Sequence, residues 1–276
     1  MKTALLQITS SDDPAENLGM VRGMMAEAAE QGARFVLTPE VTNCVSTSTT
    51  RQRAVLQHEE DDITLAGLRE QAADLGVWLL IGSLGLKTHE SDGRFTNRCF
   101  MIGPQGQIVA RYDKIHMFDV QVTETETFRE SKNYRPGEKA VIAETDFGKV
   151  GLTICYDIRF PYLHAALAQA GARILTVPAA FSPVTGAAHW EALLRARAIE
   201  TGCWVLAPAQ TGEHPKTGGK TRYTHGHSMV VDPWGKVLID AGTDPGIHIF
   251  DLDDSSVTEA RRRVPSLHHR RSFDGP

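Results

Sequence analysis

An α/β fold, with mixed β-sheets covered by helices, is predicted by three features of the sequence. Helical and strand periodicities alternate along most of the chain, the turn signals Gly103-Pro104-Gln105-Gly106 and Asp232-Pro233-Trp234-Gly235 each join two strands into a hairpin, and no linker-like stretch divides the 276 residues. α/β chains of about 250 residues often fold as one unit, so a single domain is expected. Residues 1–255 form its core in this reading, and residues 256–276 form a tail that packs on a partner subunit.

Taken in order, residues 4–8 are a first apolar strand. Asp12 or Asp13 caps a helix with Pro14 in its first turn; Leu18, Val21, Met25, Ala28 and Ala29 give it one apolar face, and Gly32 ends it. Residues 35–37 are a short strand that stops at Pro39 and delivers Glu40. Thr64 opens a second helix with Leu65, Leu68, Ala72 and Leu75 inward, Gly76 closes it, and residues 77–81 return as strand. The first hairpin pairs residues 98–102 with 107–112 and hands the chain to Lys114. From there to Pro136-Gly137 the chain is polar and irregular, a long loop of the kind that usually has a function.

Residues 150–154 form a buried strand that runs through a tight turn at Cys155 into a helix. Pro161 stands in the first turn of that helix, Tyr162, Leu163, Ala166, Leu167 and Ala170 follow at helical spacing, and Gly171 stops it. A strand at 173–177, a helix marked by Trp190, Leu193, Leu194 and Ile199, a strand at 203–206 and a Gly/Thr/Lys-rich loop at 211–221 come next. The second hairpin joins 227–231 to 236–240, and 247–252 is the last strand. QGARFVLTP at 31–39 echoes AGARILTVP at 170–178 and points to two halves of similar build, although Gly-Ala is common at any helix-to-strand turn.

Composition removes several classes of function. Hydrophobic residues make up 41% of the chain, enough for a large core, yet no run approaches the roughly 18 to 20 apolar residues of a membrane span. The opening MKTALLQITSSDD has too short an apolar run for a signal-peptide core. Cys44, Cys99, Cys155 and Cys203 lie far apart without a CxxC, which suits a reducing cytoplasm better than a zinc ribbon or a disulfide scaffold. A net charge of −5 disfavours a general nucleic-acid binder. The basic run Arg261, Arg262, Arg263, His268, His269, Arg270 and Arg271 reads as a solvated or subunit-crossing tail.

Three reactive side chains follow three predicted strands in the same way: Glu40, Lys114 and Cys155. Ligands gather at the carboxyl ends of strands in open α/β sheets, so the three are expected in one cleft. Together they suffice for acyl transfer. Glu40 can accept the thiol proton, Lys114 can stabilise the oxyanion formed when sulfur attacks a carbonyl, and the Tyr156 backbone N–H can complete the oxyanion hole. Backbone N–H groups at such a turn favour a lowered thiol pKa. Other readings are Cys155 paired with His116 or His189 as in thiol proteases, a metal pair at His225 and His227, and a non-catalytic module of the same fold. The last has no chemical need for all three side chains.

LTPE at 37–40, YDKIHMFD at 112–119 and CYDIRFP at 155–161 resemble, in order and spacing, the three catalytic motifs of the nitrilase superfamily of carbon–nitrogen hydrolases. The resemblance implies a four-layer αββα sandwich, thiol catalysis without metal or cofactor, and homodimers or higher oligomers paired through the helices flanking the nucleophile. Carried over by motif, Glu40 is the general base, Lys114 the oxyanion cation and Cys155 the nucleophile, while Glu130 in FRES orients Lys114 and the substrate. TGAAHWEALLRARAIET at 185–201 and GHSMVVDPWG at 226–235 resemble the amidase branch acting on deaminated glutathione, followed by the ω-amidases that cleave α-ketoglutaramate. Either substrate is a small carboxyl-bearing amide, for which Arg159, Arg173 or Arg195 is a candidate partner. Tyr156, Arg159, Phe181 and Thr185 are the expected substrate-binding residues. VTNCVSTSTTRQRA, after Glu40, departs from the family pattern and is expected to shape the pocket.

Overall fold

The computed structural model describes residues 1–124 and 126–275, so Thr125 of the expected loop and Pro276 of the expected tail lie outside the described residues. Its α-helices are α1 (Pro14–Glu30), α2 (Thr49–Val55), α3 (Ile63–Leu75), α4 (Pro161–Gln169), α5 (Pro183–Thr201) and α6 (Ser255–Arg263). One sheet runs Gly246–Asp251, Lys2–Gln7, Phe35–Leu37, Trp78–Leu86, Phe95–Ile102, Ile108–Asp113, with Tyr134–Arg135 also paired to Phe95–Ile102. The second runs Val237–Asp240, Met229–Val231, Trp204–Ala207, Ile174–Thr176, Gly148–Leu152, Val141–Thr145. Each has three parallel strands at its centre with antiparallel strands outside them.

The strand period of two sorts side chains into layers. Ala4, Leu6, Val36, Leu79 and Ile81 face outward and are covered by Val21 and Met25 of α1 and Leu65, Leu68 and Ala72 of α3. Their neighbours Leu5, Phe35, Leu37 and Leu80 face the other way, into a core shared with Val150, Leu152 and Ile154 of the second half. On the far side of the second sheet, Gly151 lets α4 lie close, since a Cβ there would stand 3.1 Å from Leu167 Cβ. The result is an αββα sandwich.

Local chemistry sets the element ends. Asp13 caps α1 through the Ala15 and Glu16 N–H groups, and Asp62, two residues before the expected Thr64, caps α3 through Leu65 N at 2.8 Å. α3 and α5 stop at Gly76 and Gly202, which take the left-handed conformation.

Several expectations are corrected. The strand before Cys155 ends at Leu152, and Cys155 opens a 3-10 turn, Cys155–Arg159, instead of the chain passing directly into α4. The long polar loop carries its own hairpin, Asp119–Gln121 paired with Thr127–Arg129. A second small hairpin, Thr211–Glu213 with Tyr223–His225, brackets the Gly/Thr/Lys-rich segment. Helix α2 occupies the divergent segment after Glu40, and Val141–Thr145 is an edge strand whose mixed polarity gave no signal. The start of the C-terminal segment folds back on its own chain as α6, with Val257 and Ala260 buried and Arg261 donating to the carbonyls of Thr201 and Ala172. Among the described residues no helix is long and apolar enough to cross a membrane.

Candidate active site

Glu40, Lys114 and Cys155, each delivered just beyond a strand, meet in the interior and are 4%, 2% and 7% exposed. Lys114 Nζ lies 2.8 Å from Glu40 Oε1 and 2.9 Å from both carboxylate oxygens of Glu130. Glu40 Oε2 accepts the Ala180 N–H at 2.8 Å, Oε1 accepts from Asn97 Nδ2 at 2.9 Å, and Phe118 N donates to Glu130 Oε2 at 2.7 Å. Glu130 is thus joined to Lys114.

Burial is the largest influence on all three groups, and charge decides the outcome for two of them. Burial acts to raise Glu40, but the Lys114 ammonium and hydrogen bonds from Lys114, Cys155 and Ala180 hold it below its ordinary value. Burial acts to lower Lys114, yet Glu130 and Glu40 carry it well above its ordinary value. For Cys155, burial and the Glu40 carboxylate both push the thiol well up, and Lys114 opposes them only in part. The expected lowered thiol pKa is therefore corrected: the resting state is a neutral thiol beside a carboxylate that can take its proton.

The turn at Cys155 is strained and braced. Cys155 has φ +49°, and Val41, next to Glu40, has φ +48°, a left-handed conformation that β-branched residues rarely adopt. The Cys155 N–H donates to Pro178 O at 2.9 Å and the Asp157 N–H to Ile154 O at 3.1 Å. Between them the Tyr156 N–H has no acceptor among the described residues and is free to donate to a bound oxyanion. The buried Asp157 carboxylate holds the turn, accepting from Tyr112 OH at 2.6 Å, Ile154 N at 2.9 Å, His116 N at 3.0 Å and the His116 ring at 2.7 Å. His116 consequently serves the turn, and neither it nor His189 lines the cleft that holds Cys155.

That cleft has a volume of about 670 Å³ and is walled by Val41 and Cys44–Thr47 of the divergent segment, Phe128, Phe181 and the 220–223 stretch. Four cations, Lys114, Arg129, Lys220 and Arg222, and three carboxylates, Glu40, Glu126 and Glu130, line it. Of the expected substrate-binding residues only Phe181 is in the lining. The Tyr156 side chain packs against Phe118 and Phe160, Arg159 lies over the Tyr156 and Phe181 rings with a hydrogen bond to His189, and Thr185 turns back to Ser182 O within the first turn of α5. Arg173 pairs with Asp254, and Arg195 with Glu191 and Gly235 O.

Two site residues escaped the sequence reading. Asn97 bridges Glu40 and Glu130, and its only signal is a polar side chain at a buried position of the strand FTNRCFMI. Arg222 sits in a segment read only as a loop. His225 and His227 stack on each other, His227 pairs with Asp240, and both rings line a cavity separate from the Cys155 cleft. A grouping of potential metal ligands among the described residues, His58, Glu60 and His89, is also remote from the cleft lining.

An αββα sandwich with a buried Cys–Glu–Lys cluster facing a cleft defines a nitrilase-superfamily hydrolase. The carbon–nitrogen hydrolase family model matches residues 2–262, and the chain belongs to that family. It is 39% identical over 269 residues to the deaminated glutathione amidase of Yersinia enterocolitica, covering 97% of this chain and 92% of that one. Among solved structures it superposes on the C. elegans NitFhit protein with a TM-score of 0.88 at 36% identity, covering 98% of this chain and 65% of that longer one. It superposes on Saccharomyces cerevisiae Nit3, a member of branch 10 of the nitrilase superfamily, with a TM-score of 0.84 at 28% identity, covering 96% and 94%. The chain is accordingly a hydrolase of carbon–nitrogen bonds other than peptide bonds.

Proposed function

We propose that this enzyme is a thiol amidase that hydrolyses deaminated glutathione to 2-oxoglutarate and cysteinylglycine through a thioester on Cys155. The observation that carries the reading is the buried contact of Lys114 with Glu40, both facing a neutral Cys155 thiol in one cleft. Relatives about 40% identical that are named for this activity favour the substrate, and a cleft of about 670 Å³ has room for an amide with a dipeptide-sized leaving group.

In the first half-reaction Glu40 takes the thiol proton as sulfur attacks the amide carbon. The new oxyanion is held by Lys114 Nζ and the Tyr156 N–H, with Glu130 fixing Lys114. Collapse breaks the C–N bond, and Glu40 returns its proton to the departing amine. In the second half-reaction Glu40 deprotonates a water that attacks the thioester carbonyl; the C–S bond breaks, the sulfur regains a proton and the acyl group leaves as a carboxylate.

Amine release with EDTA present, together with intact mass after rapid quenching, tests the reading. Turnover of deaminated glutathione, a 2-oxoglutaryl adduct on the wild-type chain and loss of both in Cys155→Ala are expected. Activity that survives Cys155→Ala overturns it. α-Ketoglutaramate is the comparator, and faster turnover of that smaller amide makes the enzyme an ω-amidase. The four free, buried cysteines fit a cytoplasmic enzyme, and a homodimer or higher oligomer of single-domain subunits, with the end of the chain reaching a partner, completes the proposal.

A further inference from the structure

His58, Glu60 and His89 offer three ligand atoms that all lie within 4.8 Å of one another. Glu60 and His89 are on the wall of a cavity of about 640 Å³ that is separate from the Cys155 cleft. The bridge between His58 and Lys87, with the Lys87 N–H donating to Gln57 O at 2.8 Å, holds the two chain segments side by side. His58 stands just before the 3-10 turn Glu59–Asp61, but its ring does not cap that turn, and its Nδ1 is shielded from water with no hydrogen-bond partner among the described residues. A shielded, unpaired ring nitrogen costs free energy that a bound metal ion recovers. The adjoining acid is already neutralised, since Glu59 accepts from Arg98 at 2.6 Å and from Arg111 at 2.7 Å. Glu60 has no arginine or lysine within salt-bridge distance among the described residues, and its one ionic contact there is His89 Nε2 at 2.8 Å.

We propose that His58, Glu60 and His89 form a binding site for a divalent transition-metal ion of the zinc class, which clamps the segment after Lys87 to the 3-10 turn Glu59–Asp61. The proposal is independent of the amidase reading. Two imidazoles and a carboxylate are a donor set that such ions take, whereas Ca²⁺ and Mg²⁺ favour sets built from oxygen. Tetrahedral ligation at metal–ligand distances near 2.0 to 2.1 Å needs donor atoms about 3.3 Å apart, so the three must draw together. The His58 and His89 rings are stacked, with centroids 4.2 Å apart and planes 5° from parallel, and in that pose their in-plane lone pairs run side by side without meeting. His89 is the ring that turns, because its side chain is 75% exposed while His58 is half-buried. Water fills the coordination that three protein donors leave open. An ion held only by the folded arrangement of two separate segments stabilises that arrangement by mass action.

Calorimetric titration of zinc chloride into metal-stripped Cys155→Ala, which lacks the cleft thiol as a competing ligand, tests the site. One ion per chain is expected, with a Kd in the micromolar range that weakens at least about tenfold in the Cys155→Ala/His89→Ala and Cys155→Ala/Glu60→Gln double variants. Both added substitutions fall on exposed side chains and leave the fold intact. Calcium and magnesium chloride are expected to give no comparable binding. Zinc at about 100 times its Kd should raise the Tm of Cys155→Ala by roughly 5 °C and that of the His89→Ala double variant far less. Cobalt(II) in place of zinc reports the donors, with visible d–d bands and no sulfur-to-metal charge-transfer band expected. Binding that needs millimolar zinc, or that is equally tight in both double variants, overturns the proposal. A cobalt spectrum carrying the sulfur band overturns it too, by assigning the ion to a cysteine.

Discussion

Lys114 Nζ and Glu40 Oε1 are 2.8 Å apart at a depth where almost no water reaches either group. Such a contact is worth little as a net contribution to stability, because both ions are desolvated, but breaking it from one side is expensive. Lys114→Met leaves Glu40 and Glu130 facing each other without a cation. A loss of about 3 to 5 kcal/mol in urea-unfolding free energy is expected, together with a rate loss of at least 10²-fold. A variant as stable as the wild type removes the view that this cation neutralises both acids.

The Glu40 charge acts on Cys155 as well as on Lys114, and it keeps the thiol protonated. Glu40→Gln is therefore expected to have a lower Cys155 pKa than the wild type while losing about 10² to 10⁴ in kcat. Thiolate absorbance near 240 nm against pH, on variants with the other cysteines replaced, reads the first effect, and steady-state kinetics the second. A thiol pKa that rises on substitution contradicts this electrostatic picture.

Asp157 holds the nucleophile turn through four hydrogen bonds, only some of which an amide can replace. Asp157→Asn is expected to lower kcat by roughly 10²-fold, since small misplacements of a nucleophile are costly, with a much smaller change in KM. His116→Ala removes one of those four bonds and should retain about a tenth of the activity or more. A His116→Ala enzyme as dead as Glu40→Gln returns the base assignment to histidine.

Acid stability follows from two wholly buried histidines. Burial lowers His164 and His214 to about 4, so between pH 6.5 and 4 the unfolded chain binds protons that the folded one refuses. Stability contributed by each is full above pH 6.5 and lost as pH falls to 4, by about 3 kcal/mol per residue. Asp62 opposes this: burial raises it to about 6, so its contribution favours the fold at low pH and fades as pH rises through 6. Urea titrations at pH 7.5, 5.5 and 4.5 should show a net decline toward acid that is shallower in His214→Gln. Equal slopes in the two proteins remove His214 from the account.

The fold was legible in the chain because strands covered on both faces read as short continuous apolar runs, as at Phe35–Leu37, and because α1 keeps a 3.6-residue apolar pattern. The Glu40, Lys114 and Cys155 cluster was legible because each member follows a strand within a few residues. Arg222 and Asn97 were not, because their placement is long-range: Arg222 donates to Ala180 O in the cleft wall, and Asn97 reaches two acids at once. Tyr156, Arg159 and Thr185 were misplaced for a related reason. They are near the nucleophile in sequence or lie along α5, but a 3-10 turn and a helix start rotate them away from the cleft. The thiol pKa was misjudged because a turn N–H is visible in sequence, whereas the depth of burial and the adjoining carboxylate are not.

The Ala180 N–H that holds Glu40 belongs to the second sheet's half of the sandwich, and Glu40 to the first. A cut in the connection near residue 138 would leave Glu40, Lys114 and Glu130 on one polypeptide and Cys155 and Arg222 on the other. The closing strand Gly246–Asp251 crosses back to pair with Lys2–Gln7, so the second piece carries the latch for the first. On the proposed mechanism neither piece alone holds the full set of reacting groups. On that mechanism a newly made chain would stay silent until the sandwich shuts, and the activity of a severed pair would report the shutting itself.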